Sequence, residues 1–340
     1  MNTILNTIIL GASGYTGAEL IRLCLQHPHI NITALSAHSH AGKPVSHVFP
    51  HLVGLNLPML QHIEDINYSN ADVIFCCLPH ATTQAIIPNL PKDAVIIDLS
   101  ADFRLKDPEA YAYWYNKPHS APKMQREAVY GLTEHYKAQI RQARLIANPG
   151  CYPTCSLLPL LPLKYILDTN SPVIVDAKSG VTGAGRSVKQ HLLFNEVSEG
   201  CSPYGINQHR HKAELEQELE TTNITFVPHL LPQRRGMITT IYATLKEGGA
   251  SHARNVLSDT YNKTPFVQLL PNGTIPNTHN VRGSNMCHIN VFAGARAQDV
   301  IVISVIDNLM KGASGQALHN MNIRFDLEET LGLHSPALFP

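Results

Sequence analysis

A glycine triplet, Gly11-Ala-Ser-Gly14-Tyr-Thr-Gly17, follows the apolar run Thr7–Leu10 directly and leads into a helical pattern at Glu19–Leu23. Few local patterns restrict a fold more. Glycines at this spacing let a chain leave a strand, turn sharply and enter a helix whose N-terminus faces an anion lying against the loop. The same rhythm continues to about residue 150. Asn31–Leu35, Asp72–Cys77, Ala94–Asp98 and Arg144–Ala147 are short apolar runs, with a helical segment near 81–87 among them. Nearly continuous apolar strands alternating with helices imply a parallel sheet covered on both faces. The expected fold class is α/β, a Rossmann-type doubly wound parallel sheet.

Beyond residue 170 the period changes. Met237–Leu245 and Cys287–Phe292 partly alternate, as half-buried antiparallel strands do, Val300–Ile306 reads as a buried strand, and 209–220 and 252–262 read as helices. A second, mixed α+β domain follows. Gly312-Ala-Ser-Gly315 opens a last helical stretch to about Ile323.

Charge narrows the partners. Lys plus Arg and Asp plus Glu number 26 each, so there is no net cationic surface for DNA, RNA or an anionic membrane. No run approaches the ~18 apolar residues of a transmembrane helix, and the start of the chain lacks the pattern of a signal peptide. Seven cysteines form no paired C-x-x-C spacing, so reduced thiols in a cytoplasm are expected, with neither a disulfide framework nor a metal site.

The loop after the first strand bears on a cofactor. Gly11, Ser13, Gly14, Tyr15, Thr16 and Gly17 are the expected cradle of a dinucleotide pyrophosphate, the alternative being an ordinary strand–helix turn. A site for NAD usually places Asp or Glu ~20 residues on, to hold the ribose 2′-hydroxyl. Here no acidic residue occurs between Glu19 and Glu64, and the second strand runs into Ser36-Ala-His38-Ser39-His-Ala-Gly-Lys43. NADP is therefore the expected cofactor, with Ser36, His38 and Ser39 near its 2′-phosphate; a plain polar loop is the alternative.

Asn148-Pro-Gly-Cys151-Tyr-Pro-Thr154 crosses a Pro-Gly turn after a strand and enters an apolar, helical segment. That placement favours a thiolate at a helix N-terminus, although Pro159 and Pro162 are expected to interrupt the helix and weaken its dipole. Cys24, Cys76 and Cys77 lie in apolar runs and Cys155 reads as packing. A cysteine nucleophile needs a proton-transfer partner. His209-Arg-His211, at a loop-to-helix junction, supplies candidates, with a metal ligand pair or a surface cap as rival readings. Lys178–Arg186 is a second glycine-rich stretch, in which Gly183, Gly185 and Arg186 suit an anion or a close cofactor approach, a plain loop being the alternative. Arg104 and Arg235 end strand-like segments, where arginines hold carboxylates or phosphates, or simply form salt bridges.

Taken in order, Gly11–Glu19, Asp98–Arg104, Asn148–Thr154, Ser179–Arg186, His209–His211 and Lys311–Ala317 resemble the N-acetyl-γ-glutamyl-phosphate reductase family, related to aspartate-semialdehyde dehydrogenase. The resemblance covers nearly the whole chain. It implies Cys151 as nucleophile, His211 as acid/base with His209 lining the cleft, and Arg104 and Arg235, together with Arg186, on the substrate. It also implies a last helix that returns to the cofactor domain, giving residues 1–150 plus about 312–340 as the NADP-binding domain and 151–311 as the catalytic and oligomerisation domain. Where many members carry Ser-Arg after the second strand, this chain has Ala37-His38. The implied reaction is NADPH-dependent reduction of an acyl phosphate through a cysteine thioester, with phosphate released, by a homo-oligomer (dimer or tetramer). Another acyl phosphate, aspartyl or carrier-linked, is the nearest rival substrate; a non-catalytic dinucleotide sensor is the rival from another class.

Overall fold

The computed structural model describes residues 4–338. The chain divides into two compact units, Met1–Pro149 with Ala313–His334, and Gly150–Gly312 with Ser335–Pro340.

The first unit holds strands β1 (Leu5–Leu10), β2 (Ile30–Ser36), β3 (Leu60–Gln61), β4 (Val73–Cys76), β5 (Val95–Asp98), β6 (Val129–Tyr130) and β7 (Leu145–Ala147). They form one sheet in the order β3-β2-β1-β4-β5-β7-β6, every neighbouring pair parallel. Strands β4, β5 and β7 are buried along their whole length, as their unbroken apolar sequences require. Helices α1 (Tyr15–Cys24), α2 (Thr83–Ile86), α3 (Pro108–Tyr115), α4 (Pro122–Glu127) and α5 (Thr133–Gln142) connect them. α3 starts by local chemistry: Pro108 takes the first position and the Asp107 carboxylate accepts from Glu109 N. β1 lies between β2 and β4, so crossovers leave it in both directions, and carboxyl ends at such a point are where open α/β sheets take ligands.

The second unit contains α6 (Cys151–Leu163), β8 (Val173–Gly180), α7 (Phe194–Val197), β9 (Ser202–Pro203), α8 (His211–Leu219), β10 (Ile224–Leu231), β11 (Met237–Thr244), α9 (Gly249–Tyr261), β12 (Val267–Leu269), β13 (Cys287–Ala293) and β14 (Asp299–Ile306). Its sheet runs β12-β13-β14-β11-β8-β10-β9, with β12–β13 and β8–β10 parallel and the other pairs antiparallel. α6, α8 and α9 pack on one face. Ile174 and Tyr242 are exposed on strands β8 and β11, and Ile238, Ile301 and Ile303 alternate with buried neighbours on β11 and β14.

After a π-helical turn at Met310–Ser314, α10 (Gly315–Arg324) completes the first unit, with Gly315–Ile323 all buried. Gln316 Nε2 and Asn320 Nδ2 donate to Gly131 O at 3.0 and 2.8 Å, and Asn320 Nδ2 also reaches Asn148 Oδ1 at 3.1 Å. α10 is thereby bonded to the loop that follows β7.

One expectation is corrected. Pro159 and Pro162 do not interrupt α6, which runs unbroken from Cys151 to Leu163. A helical proline leaves the carbonyl four residues earlier without its donor. Those carbonyls are Cys155 O and Leu158 O. Thr239 Oγ1 lies 3.5 Å from the first, and the Tyr261 hydroxyl donates to the second. Tertiary partners replace the missing N–H groups.

Candidate active site

Cys151 is the first residue of α6, a partly exposed thiol at the helix N-terminus. The residue before it, Gly150, is the N-cap, with φ −64° and ψ 153°. Its N–H donates to Glu214 Oε2 at 3.0 Å. A Cβ built on Gly150 would stand 2.5 Å from His211 Nε2, so the imidazole occupies the space a side chain would need. A Cβ on Gly312 would lie 2.8 Å from Cys151 Cβ, so that glycine, too, makes room for the cysteine. Both glycines are required by close approach.

His211 is the first residue of α8, and its N–H donates to His209 Nδ1 at 3.2 Å. The two rings are 4.7 Å apart, tilted by 68°. The junction expected at this sequence lets both face one place. Tyr152 packs edge-on against His209 and His211 at 5.6 and 5.9 Å, and Phe226 meets Tyr152 and His209 edge-on in turn at 5.5 and 5.6 Å. The Tyr152 hydroxyl lies 3.2 Å from His229 O and 3.1 Å from the Tyr204 hydroxyl. Burial pushes Tyr152 far above the ordinary phenol range, and Tyr204 up to about 12. Both therefore stay neutral and hold the imidazoles as walls. Glu214 is 1% exposed, with Oε1 4.0 Å from His211 Nε2. One carboxylate thus touches the N-cap of the cysteine helix and the candidate base. Glu214, Tyr152, Tyr204 and Gly312 are the residues sequence reasoning missed; the i, i+3 pair His211/Glu214 was the available signal.

The other expected cysteines are burial-dominated. Burial pushes the Cys77 and Cys155 thiols up to about 12 and about 11, and raises Cys24 and Cys76 as well. Among the described residues no group of His, Cys, Asp or Glu is arranged to hold a metal ion, and no helix is long and apolar enough to cross a membrane.

In the first unit, Gly11 has φ +78°, and a Cβ there would lie 2.4 Å from Cys77 O. A Cβ on Gly17 would lie 2.6 Å from Gly11 O. Gly14 differs: its Cβ would meet only Gly11 O, at 3.6 Å, so its protein neighbours leave room where a ligand would approach. Ser13, Tyr15 and Thr16 line the same turn, half-buried. Ser36 is buried, its hydroxyl accepting from Gly11 N at 2.9 Å and its carbonyl from Ala12 N at 2.8 Å. It therefore shapes the glycine turn, while His38 and Ser39 are exposed beyond it. Arg104 is buried, its Nε donating to Asn148 O at 2.8 Å and Nη2 to Leu99 O at 2.9 Å.

In the second unit, Gly183, Gly185 and Arg186 are exposed in and after a 3₁₀ turn at Val181–Ala184, with Gly185 at φ +84°. Arg235 Nη1 lies 3.4 Å from the fully buried Asp307 carboxylate, which also accepts from Gly283, Leu309 and Met310 N–H groups. Cys151, His209 and His211 are brought together. The glycine loop, Ser36, His38, Ser39 and Arg104 belong to the first unit; Gly183, Gly185, Arg186 and Arg235 belong to the second.

Comparison with known proteins supplies the lineage. Residues 6–143 match the semialdehyde dehydrogenase NAD-binding domain and 151–308 its dimerisation domain. A probable chloroplastic N-acetyl-gamma-glutamyl-phosphate reductase of Arabidopsis thaliana is 50% identical over 98% of this chain and 84% of its own length. The N-acetyl-gamma-glutamyl-phosphate reductase of Afipia carboxidovorans is 49% identical over 97% of both chains. This chain belongs to the N-acetyl-gamma-glutamyl-phosphate reductase family. Among solved structures, aspartate semialdehyde dehydrogenase II of Vibrio cholerae shares the fold at TM-score 0.73 and 16% identity, covering 95% of this chain and 99% of that one. The Candida albicans aspartate semialdehyde dehydrogenase, solved with NADP, gives 0.63 at 15% identity, over 94% and 98%. Members of the reductase family are oxidoreductases of the semialdehyde dehydrogenase type, with an NAD(P)-binding domain.

Proposed function

We propose that this chain reduces N-acetyl-L-glutamyl 5-phosphate to N-acetyl-L-glutamate 5-semialdehyde with NADPH, releasing phosphate, in L-arginine biosynthesis. The observation that carries this reading is the seating of Cys151: first in α6, behind a glycine cap that touches both His211 and Glu214.

At the N-terminus of α6 the helix dipole favours the Cys151 thiolate. Its sulfur attacks the acyl carbon, the C–S bond forms as the C–O bond to phosphate breaks, and a thioester remains. When bound, the nicotinamide supplies a hydride to that carbon. His211 accepts the thiol proton when the nucleophile forms and returns it to the acyl oxygen on reduction; as the thiohemiacetal collapses it takes that hydroxyl proton back and passes it to the departing sulfur, while the released phosphate draws its own proton from solvent. Glu214, buried against Gly150 N, fixes the ring and the helix cap together. The N–H groups of Cys151 and Tyr152, in the first turn of α6, would receive the oxyanion, each such donor being worth ~3 kcal/mol. Arg104, Arg186 and Arg235 are the cations assigned to the substrate's phosphate and carboxylates.

The cofactor fits the first unit. Gly11 and Gly17 admit no side chain, Gly14 leaves open space, and the first-turn amides of α1 have no partner within the helix. Those residues would hold the pyrophosphate, Ser36, His38 and Ser39 the adenosine ribose and its phosphate, and Gly183 and Gly185 would lie near the cofactor. The uncovered apolar residues of the second sheet, Ile174 and Tyr242 among them, support a homo-oligomer, a dimer or tetramer. Seven free cysteines fit a reducing cytoplasm.

NADPH oxidation is to be measured against N-acetylglutamyl phosphate and aspartyl phosphate, with Cys151→Ser as control. The account expects turnover of the first substrate only, and a loss of about 10³-fold or more in the variant. Normal turnover by Cys151→Ser would refute it.

A further inference from the structure

Two histidines stand together where the cofactor sheet presents its outer carboxyl ends. β2 and β3 are parallel neighbours with Ser36 opposite Gln61, and Ala37 N donates to Gln61 O at 3.0 Å. The chain leaves both strands at one level: His38 lies two residues past β2, His62 one residue past β3. Their rings meet edge to face, 5.8 Å apart at 88°, and both side chains are exposed. β2 is joined to the glycine turn through Ser36, whose hydroxyl accepts from Gly11 N. A dinucleotide on that turn therefore extends its adenosine ribose towards the ends of β2 and β3.

We propose that His38 and His62 together form the site that selects the adenosine 2′-phosphate, so that discrimination between phosphorylated and unphosphorylated dinucleotides weakens as pH rises. The inference rests on the NADPH reading given above and adds His62 and a pH dependence to it. A phosphate monoester carries roughly −1.5 to −2 at neutral pH. Imidazoles as a class change charge between about pH 5 and 8, whereas a guanidinium in the same role stays charged throughout. Two imidazolium rings this close repel each other, and an anion between them removes that repulsion. Binding of the phosphate is therefore coupled to proton uptake.

Other charged and titratable groups lie on the segments that flank the pair. Lys43 sits beside the start of β3, its carbonyl accepting from Leu60 N at 3.0 Å, and brings a basic side chain to the same loop. His40 and His47 form a second ring pair at 6.4 Å on the same loop. Glu64 and Asp65, exposed on the 3₁₀ turn at Ile63–Asp65, are the acidic residues that follow His62.

The test is calorimetric titration of the full chain with 2′,5′-ADP and with 5′-AMP, which differ only in the 2′-phosphate. The proposal expects the affinity ratio of the two to fall about tenfold or more from pH 6.5 to 8.5, with net proton uptake on binding 2′,5′-ADP alone. His62→Gln and His38→Gln should each lower the ratio roughly tenfold at pH 6.5 and flatten its pH dependence. A ratio that is high but independent of pH, or His62→Gln indistinguishable from the parent, would overturn the proposal while leaving the NADPH reading intact. If the unsubstituted chain binds 2′,5′-ADP no tighter than 5′-AMP at any pH, the NADPH reading itself fails and takes this one with it.

Discussion

Replacing Gly150 by alanine tests the geometry of the site with one methyl group. The backbone at φ −64° and ψ 153° accepts alanine without strain, so the effect is purely one of contact. The new carbon would lie 2.5, 2.7 and 2.8 Å from His211 Nε2, Cδ2 and Cε1, against the 3.4 Å at which ordinary contact begins. The shortfall between 2.5 and 3.4 Å means that ring or helix must yield by about 0.9 Å. The ring has little room, with Tyr152 at 5.9 Å and His209 at 4.7 Å between ring centres. If the strain is stored, it costs ~1–3 kcal/mol of stability. If it is relieved by moving His211, a displacement of that size at a proton-transfer group costs on the order of 10²-fold in rate. Steady-state kinetics and urea unfolding of Gly150→Ala measure the two outcomes. The expected result is a fall of about 10²-fold in kcat/KM with 5′-AMP binding unchanged. Retention of kcat/KM within about threefold, together with an unshifted unfolding midpoint, would refute the packing argument.

Two further outcomes follow from single contacts. Tyr261→Phe removes the hydroxyl that serves Leu158 O inside a proline-bearing helix, and the unsatisfied buried carbonyl should cost ~1–3 kcal/mol in urea unfolding; no change would show that the helix does not need that donor. Burial pushes Asp98 up to about 7, against the opposing hydrogen bonds from Ser100. Its folded pKa lies above the unfolded one, so its stabilising contribution is full below about pH 4 and is lost as pH rises through about 7. Asp98→Asn should therefore unfold at a higher temperature than the parent at pH 8.5, the difference vanishing towards acid pH; parallel profiles would contradict this.

Much of this architecture is legible in the sequence, and the exceptions have physical causes. The parallel sheet declares itself because β4, β5 and β7 are buried on both faces and must be apolar throughout. The glycine turn is equally plain, since two of its three glycines are sterically required by their own neighbours. α6 is not, because Pro159 and Pro162 announce a break that Thr239 and Tyr261, distant in sequence, make good. Strands β8 and β10 are obscured by the glycines after Ala177 and by Pro228. Within the site, Cys151, His209 and His211 stand out by residue type and position. Glu214 does not: it is one of four glutamates in Ala213–Glu220, and only tertiary packing selects the one that meets Gly150 N.

The measurement closest to the central claim is a rapid-quench experiment without reductant. The enzyme is mixed with N-acetylglutamyl phosphate, stopped in acid within milliseconds, digested and analysed by mass. The account predicts a burst of phosphate matched by an acyl adduct on the peptide that carries Cys151, discharged by hydroxylamine. An adduct on Cys77 or Cys201 instead, or none from an enzyme that turns over normally once NADPH is added, would contradict it.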